Sequence, residues 1–136
     1  MHVLLVEDDE DTRDTIMYFL KKAGHAVRGV ASGLEALGAV RHDPPDIVLL
    51  DVVIPNLNGY EVCRLIKEDL RNGRLQGKLP VVLITARKVR EPRREGFIRD
   101  STGADAVIYK PFGRQVLFNA ILRVTGPSQA AAGKAV

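Results

Sequence analysis

Residues 47–59 of this 136-residue chain read IVLLDVVIPNLNG, and the fold can be worked out from this stretch. It begins with four consecutive apolar residues and reaches an acidic one, Asp51. Strands that are covered on both faces, as in a parallel sheet, have such continuous apolar runs rather than alternating ones. Asn58 and Gly59 then mark a loop, and Asn58 with Glu61 is placed to cap a following helix. The stretch predicts a buried parallel strand with an aspartate at its carboxyl end.

Similar apolar runs occur on both sides of this stretch, and amphipathic stretches separate them. The runs lie at residues 3–6, 26–30, 81–84 and 106–109. Helical stripes between and after them include Leu34, Leu37 and Val40 behind a Ser32/Glu35 capping box, and Val116, Leu117, Ala120, Ile121 and Val124 near the end. The order βαβαβαβαβα predicts an α/β fold, in which a parallel sheet of five strands carries helices on both faces through right-handed crossovers.

Length and composition are those of one globular domain. Hydrophobic residues make up 46% of the chain and charged residues 27%. Cys63 is the single cysteine, which excludes an internal disulfide and a cysteine-rich zinc site. No apolar run approaches the roughly 20 residues of a membrane span, so we expect a cytoplasmic protein with no membrane contact. Residues 126–136 are small and polar. We predict a folded domain at 1–125 and a disordered tail or truncated linker at 126–136.

The net charge of +3 and the isoelectric point of about 9.2 raise nucleic acid as a partner. The charges are unevenly distributed, however: residues 87–99 hold six basic and two acidic side chains, whereas residues 7–14 hold six acids and one arginine. The basic segment has little aromatic interleaving, and no helix-turn-helix pattern follows it. We therefore expect no direct nucleic-acid binding, and a solvated or protein-docking face at this segment.

Charged and polar residues follow the apolar runs at the predicted carboxyl ends of the strands. They are Glu7, Asp8, Asp51, Thr85 and Lys110. In an open parallel sheet these ends share one edge, so the side chains should converge. One lysine is too little charge for several carboxylates, and an all-oxygen ligand set favours Mg²⁺, Mn²⁺ or Ca²⁺ over zinc.

With a hydroxyl and an ammonium opposite, such a site resembles a phosphoryl-transfer centre with Asp51 as the nucleophile. Each residue alone has a simpler explanation. An acid after a strand usually caps a helix, which is our expectation for Asp9, Glu10 or Asp11. Thr85 alone would be a turn residue and Lys110 alone a solvated charge. Their common register at one sheet edge favours a functional site.

Four motifs in this order resemble the response-regulator receiver domain of two-component signalling. They are VEDD at 6–9, LDVVIPNLNG at 50–59, TAR at 85–87 and KPF at 110–112, and the resemblance covers residues 1 to about 125. It implies a flavodoxin-like three-layer sandwich with five helices and strand order 2-1-3-4-5. It also implies a cis peptide bond before Pro111.

The resemblance assigns a role to each matching residue. Mg²⁺ would be held by Glu7, Asp8, Asp51 and the backbone carbonyl of Val53. Asp51 would accept a phosphoryl group from the phosphohistidine of a histidine kinase or a phosphotransfer protein. Thr85 and Lys110 would bind the phosphoryl oxygens. Such a protein catalyses only its own phosphotransfer and dephosphorylation and is not otherwise an enzyme.

The sequence departs from the family pattern at several positions. The side chain of Val53 cannot orient an attacking water, which predicts slow self-dephosphorylation. Val107 stands at the position of the family's switch aromatic, three residues before the lysine, and the tyrosine of this strand is Tyr109. Extra length falls around residues 71–78 and 88–94, and Pro92 in the second segment should disturb or delay the fourth helix.

We hypothesise a receiver that accepts phosphate on Asp51 and signals through residues 85–125. It would act alone or as part of a longer chain, on a downstream protein or an attached output domain, with a homodimer through the 87–125 face as a further option. The alternative is a pseudo-receiver, a protein-binding module that works without phosphorylation. A phosphatase of the haloacid dehalogenase kind is disfavoured, because Val53 stands where those enzymes need a second acid.

Overall fold

The computed structural model describes residues 1–86 and 92–126, and for residues 92 and 93 it describes the backbone only. The strands are β1 His2–Val6, β2 Ala26–Val30, β3 Ile47–Asp51, β4 Val81–Ala86 and β5 Ala106–Lys110. The helices are α1 Glu10–Lys22, α2 Gly33–His42, α3 Gly59–Arg71, α4 Pro92–Thr102 and α5 Arg114–Thr125. Strands and helices alternate as predicted.

The strands form one parallel sheet in the order β2-β1-β3-β4-β5. Side chains alternate between its two faces, and each face carries its own hydrophobic cluster. Leu50 lies in the cluster that α2, α3 and α4 cover, and Leu49 lies in the cluster that α1 and α5 cover. The flavodoxin-like three-layer sandwich is therefore confirmed, with the strand order that the resemblance implied.

The central strand β3 is buried along its whole length, which explains its continuous apolar run. Leu49 and Leu50 are both fully buried, and burying a leucine side chain stabilises a fold by about 1.5–3 kcal/mol. The edge strand β2 is partly exposed and contains Arg28 and Gly29, which is why its apolar pattern is weaker. The most hydrophobic strands thus lie at the centre, and the charged groups that follow them are held on a rigid base.

Three helices begin at the residues expected to cap them. The side chains of Asp9, Ser32 and Asn58 each accept a hydrogen bond from the backbone N–H three residues further on, at 2.9, 3.2 and 3.0 Å. Each such cap contributes about 1 kcal/mol. The caps at Asp9 and Asn58 also fix the loop after β1, which carries Glu7 and Asp8, and the loop that follows Asp51 at the end of β3.

Two of the predicted core positions are wrong. Leu34 is 60% exposed and Val116 is 47% exposed. In α2 the buried face runs through Gly33 and Ala36, because the helix start packs closely against the neighbouring loop. A Cβ on Gly33 would lie 2.6 Å from the backbone oxygen of Leu57. In α5 the buried face is formed by Leu117, Ala120 and Ile121. Val116 lies outside this face because of the helical periodicity.

The extra length at residues 71–78 packs onto the core. After α3, the chain turns through Gly73 and Gly77, both with positive φ. Leu75 and Leu79 are buried in the cluster beneath α2, α3 and α4. This segment therefore adds hydrophobic contacts to the cluster beneath α2, α3 and α4. It lies between α3 and the start of β4, away from the carboxyl ends of the strands.

The helix α4 begins at Pro92, a position at which proline is tolerated because its missing N–H has no partner in the first turn. The proline thus marks the start of the helix. The rest of the predicted second insertion, at 88–91, lies outside the described residues, and so do residues 127–136 of the predicted tail. Within residues 1–86 and 92–126, none of the helices is long and apolar enough to cross a membrane.

Candidate functional site

The candidate site lies at the carboxyl ends of β1, β3 and β5. Glu7 directly follows β1, Asp51 is the last residue of β3 and Lys110 is the last residue of β5. The strand β4 separates β3 from β5, and its Ala86 pairs with Lys110. Because alanine has only a methyl side chain, the long side chain of Lys110 can reach across it to Asp51.

The ammonium group of Lys110 is the centre of the site. Its Nζ donates to Asp51 Oδ2 at 2.6 Å and to Glu7 Oε1 at 2.7 Å. Both carboxylates are buried, at 4% and 1% exposure, whereas the lysine side chain is 35% exposed. The backbone N–H of Val53 donates to the other oxygen of Asp51 at 3.0 Å. Asp51 is thus held by one donor on each oxygen, next to solvent.

The electrostatics indicate a shortage of positive charge. Burial, opposed in part by the hydrogen bond from Lys110 and reinforced by Asp51, raises the pKa of Glu7 to about 7. Burial opposes the charged form of Lys110, yet its hydrogen bonds to Asp51 and Glu7 raise the pKa of this ammonium. A second cation near these carboxylates would favour the ionised form of Glu7.

The acidic groups are close enough to share such a cation. Ligand oxygens of Glu7, Asp8 and Asp51 lie within 4.8 Å of one another, and Asp8 is exposed. These oxygens line an open cleft of about 490 Å³ together with Asp9, Val53, Ala86, Lys110 and Pro111. Three carboxylates and no nitrogen or sulfur ligand form a donor set that suits Mg²⁺.

Thr85 does not line this cleft. It lies within β4, is 5% exposed and pairs with Tyr109 of β5. Strand alternation places it on the same face of the sheet as Leu83, whereas Ala86 lies on the face of Ile84. The structure therefore brings together Glu7, Asp8, Asp51 and Lys110 as predicted, but turns the hydroxyl-bearing residue toward the other face.

The loop after β3 depends on Gly59. The sequence motif includes this glycine but does not show its structural role. The N–H of Gly59 donates to the carbonyl of Val52 at 2.8 Å. A Cβ on Gly59 would lie 2.4 Å from the backbone oxygen of Asp51, so the start of α3 packs directly against the backbone of Asp51. The peptide bond between Lys110 and Pro111 is cis, as the resemblance implied.

Two residues of the site had no role assigned to them from the sequence. Ala86 and Pro111, which lie in the TAR and KPF motifs, line the cleft because each neighbours a predicted site residue. Arg13 donates from its Nη1 to the backbone carbonyl of Glu7 at 2.9 Å, which fixes the loop after β1 from the first helix. An isolated arginine on a helix resembles any solvated charge, so this contact could not be read from the chain.

A family comparison agrees with this architecture. The profile described as the response regulator receiver domain matches residues 3–122. Response regulator MprA of Mycobacterium leprae is 36% identical over 134 residues, which are 96% of this chain and 55% of that protein. The chain spans about half the length of the curated relatives it matches first.

Solved structures with the same fold are also similar to this chain. The chemotaxis response regulator CheY4 of Vibrio cholerae has a TM-score of 0.78 and 25% identity, covering 90% of this chain and 97% of that one. The receiver domain of the sensor histidine kinase PA1611 from Pseudomonas aeruginosa has a TM-score of 0.76 and 29% identity, covering 91% and 96%. In that receiver domain a magnesium ion is coordinated in the active-site cleft.

Proposed function

The chain belongs to the response regulator receiver domain family, and from this membership we propose that Asp51 accepts a phosphoryl group from the phosphohistidine of a histidine kinase or phosphotransfer protein. Members of this family are signalling proteins rather than classical enzymes. The observation that carries the proposal is the setting of Asp51. It is a buried carboxylate at an open cleft, with the Lys110 ammonium on one oxygen and a backbone N–H on the other.

The transfer needs little covalent chemistry from the protein. A carboxylate oxygen of Asp51 forms the new P–O bond while the P–N bond of phosphohistidine breaks. The electron pair leaves with the imidazole, which then takes a proton. The Lys110 ammonium, 2.6 Å from Asp51, counters the negative charge that comes close to the carboxylate. Its partial exposure leaves it accessible to an incoming phosphoryl group.

Glu7, Asp8 and Asp51 are the side chains that would hold Mg²⁺, together with the backbone carbonyl of Val53. The closeness of their oxygens and the raised pKa of Glu7 support this ligand set. When bound, the ion neutralises negative charge on the phosphoryl oxygens. Within the protein, Lys110 and the N–H of Val53 keep Asp51 oriented toward the cleft.

Thr85 is proposed to bind a phosphoryl oxygen after phosphorylation. Because its side chain lies on the opposite face from Lys110, this role requires the end of β4 to move. That movement would alter the surface formed by residues 85–125, through which we propose the signal passes to a downstream protein or an attached output domain. Exposed apolar side chains at Phe97 (71%) and Leu122 (42%) support a protein-binding role for this surface.

Further parts of the proposal follow from the family and from the chain. The receiver unit comprises residues 1–125, and from residue 127 on the predicted tail or linker at 126–136 lies outside the described residues. The protein works in the cytoplasm and does not bind nucleic acid or membrane directly. The 87–125 face is a possible interface for a homodimer. The exposed side chain of Val53 at the cleft, 73% accessible, offers no hydrogen bond to an attacking water. We therefore expect slow self-dephosphorylation.

The test is a mass measurement after incubation with Mg²⁺ and a small phosphodonor. Wild type should gain one phosphoryl group, Asp51→Asn should gain none, and Asp100→Asn, which alters an exposed aspartate of α4, should gain as much as wild type. No gain in wild type that nevertheless binds Mg²⁺ would favour the alternative, a pseudo-receiver. The intact set of Glu7, Asp51 and Lys110 argues against that alternative.

A further inference from the structure

A side-chain hydrogen bond joins β5 to the first part of α4. The hydroxyl of Tyr109 donates to Oε2 of Glu95 at 2.8 Å. Tyr109 is half-buried, directly precedes Lys110 and pairs with Thr85 across β4 and β5. Tyr109 thus contacts α4 through its side chain. Through its backbone it adjoins Lys110 and Thr85, which belong to the proposed phosphorylation site.

Few of the described side chains of α4 are buried against the rest of the domain. Among its described side chains, at residues 94–102, Ile98 and Thr102 are buried, and Phe97 is 71% exposed. Both buried residues lie in the second half of the helix, where the carbonyl of Thr102 also accepts from Cys63 Sγ at 3.5 Å. The hydrogen bond at Glu95 therefore matters most for the first half of α4.

The position that carries an aromatic switch in the resemblance is occupied here by Val107. This valine is 6% exposed and lies in the cluster beneath α3 and α4. It has neither a ring that can move between two positions nor a hydroxyl group. Tyr109 lies on the same face of β5, two residues further on, and packs against the same cluster. The hydroxyl of Tyr109 is therefore a polar group on this face that contacts α4.

We propose that the Tyr109–Glu95 hydrogen bond is the link through which the state of Asp51 reaches α4. It holds the first half of α4 on β5 while Asp51 is free, and it is released when Asp51 carries a phosphoryl group. This inference rests on the proposed function. A phosphoryl group changes what the Lys110 ammonium binds and, by that proposal, draws Thr85 toward the site. Both residues adjoin Tyr109, so the tyrosine backbone shifts relative to α4.

The link can be tested by hydrogen exchange of the α4 amides in Tyr109→Phe, with and without beryllofluoride plus Mg²⁺ as a stable mimic of the aspartyl phosphate. In the free state, these amides should exchange about three- to tenfold faster than in wild type, the range expected for loss of one hydrogen bond. With the mimic bound, the two proteins should exchange alike. By linkage, the mimic should bind the variant more tightly by the same factor.

Matched variants separate this role from a general loss of packing. Tyr18→Phe removes the hydroxyl of a tyrosine on α1 that is 59% exposed, and it should change neither measurement. Glu95→Gln keeps an acceptor oxygen but loses the charge, so its effect should be smaller than that of Tyr109→Phe. The double variant Tyr109→Phe/Glu95→Gln should match Tyr109→Phe alone, because without the hydroxyl the change at Glu95 has no bond left to weaken.

Three outcomes would overturn the inference. Unchanged α4 exchange in free Tyr109→Phe would show that the bond does not hold the helix. Equal acceleration in the free and bound states would make the bond structural only. If wild type gains no phosphoryl group at Asp51 in the mass measurement, the proposed function fails and this inference fails with it. A normal mass gain combined with either exchange result rejects the inference alone.

Discussion

Replacing Glu7 by glutamine should stabilise the metal-free protein at pH 8 and stabilise it much less near pH 5. Glu7 is 1% exposed and shares the Lys110 ammonium with Asp51 at the carboxyl edge of the sheet. Glutamine has the same shape, keeps an oxygen that accepts from Lys110 and carries no charge. The substitution therefore removes a buried negative charge while it preserves the packing of the site.

The magnitude follows from the pKa of Glu7, which burial and the neighbouring Asp51 raise from 4.5 to about 7. An acid whose pKa is higher in the folded state contributes stability that is fully present below pH 4.5 and lost as the pH rises to 7. At about 1.4 kcal/mol per pH unit, this interval corresponds to at most about 3.5 kcal/mol. Because a neutral glutamine oxygen accepts a weaker hydrogen bond from Lys110 than a carboxylate does, part of this gain is lost and we expect about 2 kcal/mol.

The assay is urea unfolding followed by far-ultraviolet circular dichroism, at several pH values between 5 and 8 in the presence of a chelator. The expected gain in the free energy of unfolding at pH 8 is about 2 kcal/mol. In a thermal melt, the same gain would raise the melting temperature by roughly 5–8 °C for a domain of this size. Glu68→Gln, at an exposed position of α3, is the control and should show no such pH-dependent gain.

Two results would refute the reasoning. One is a Glu7→Gln protein that is no more stable than wild type at pH 8, and the other is a difference between the two proteins that does not vary with pH. The proposed metal site adds an opposite expectation. At pH 8, Mg²⁺ should stabilise wild type more than the variant, because the variant lacks one carboxylate ligand.

Three further substitutions test the loop that follows Asp51 and the start of α3. Gly59→Ala should cost about 3 kcal/mol in urea unfolding, because its Cβ meets the Asp51 backbone oxygen at 2.4 Å; the control Gly38→Ala, with open space around the Cβ, should gain about 0.5–1 kcal/mol. Equal stabilities of these two variants would contradict the close-packing argument. Asn58→Ala should lower stability by about 1 kcal/mol in thermal melting through loss of the cap, and no loss would mean that the cap is dispensable. Val53→Asn should shorten the lifetime of phosphorylated protein, followed by decay of its mass, and an equal or longer lifetime would reject the proposed effect of Val53.

Much of the fold could be predicted because its signals are local. The continuous run at 47–50 reflects burial on both faces of β3, and the caps at Ser32 and Asn58 follow from spacing within four residues. Leu34 and Val116 were misplaced because their exposure depends on which side of a helix meets the sheet. The close approach of Gly33 to the loop at Leu57 decides this for α2, and no periodicity in the chain contains that contact.

The candidate site also has features that could be predicted from the sequence and features that could not. The residues that end the strands could be identified from the chain alone, because apolar runs and the charged residues after them are neighbours in sequence. Three contacts or positions became known only from the folded chain: Lys110 contacts Glu7 across 103 positions of sequence, Thr85 lies on the other face, and Tyr109 reaches Glu95. Strand order and side-chain alternation set these distances, and both depend on how the strands pair in space.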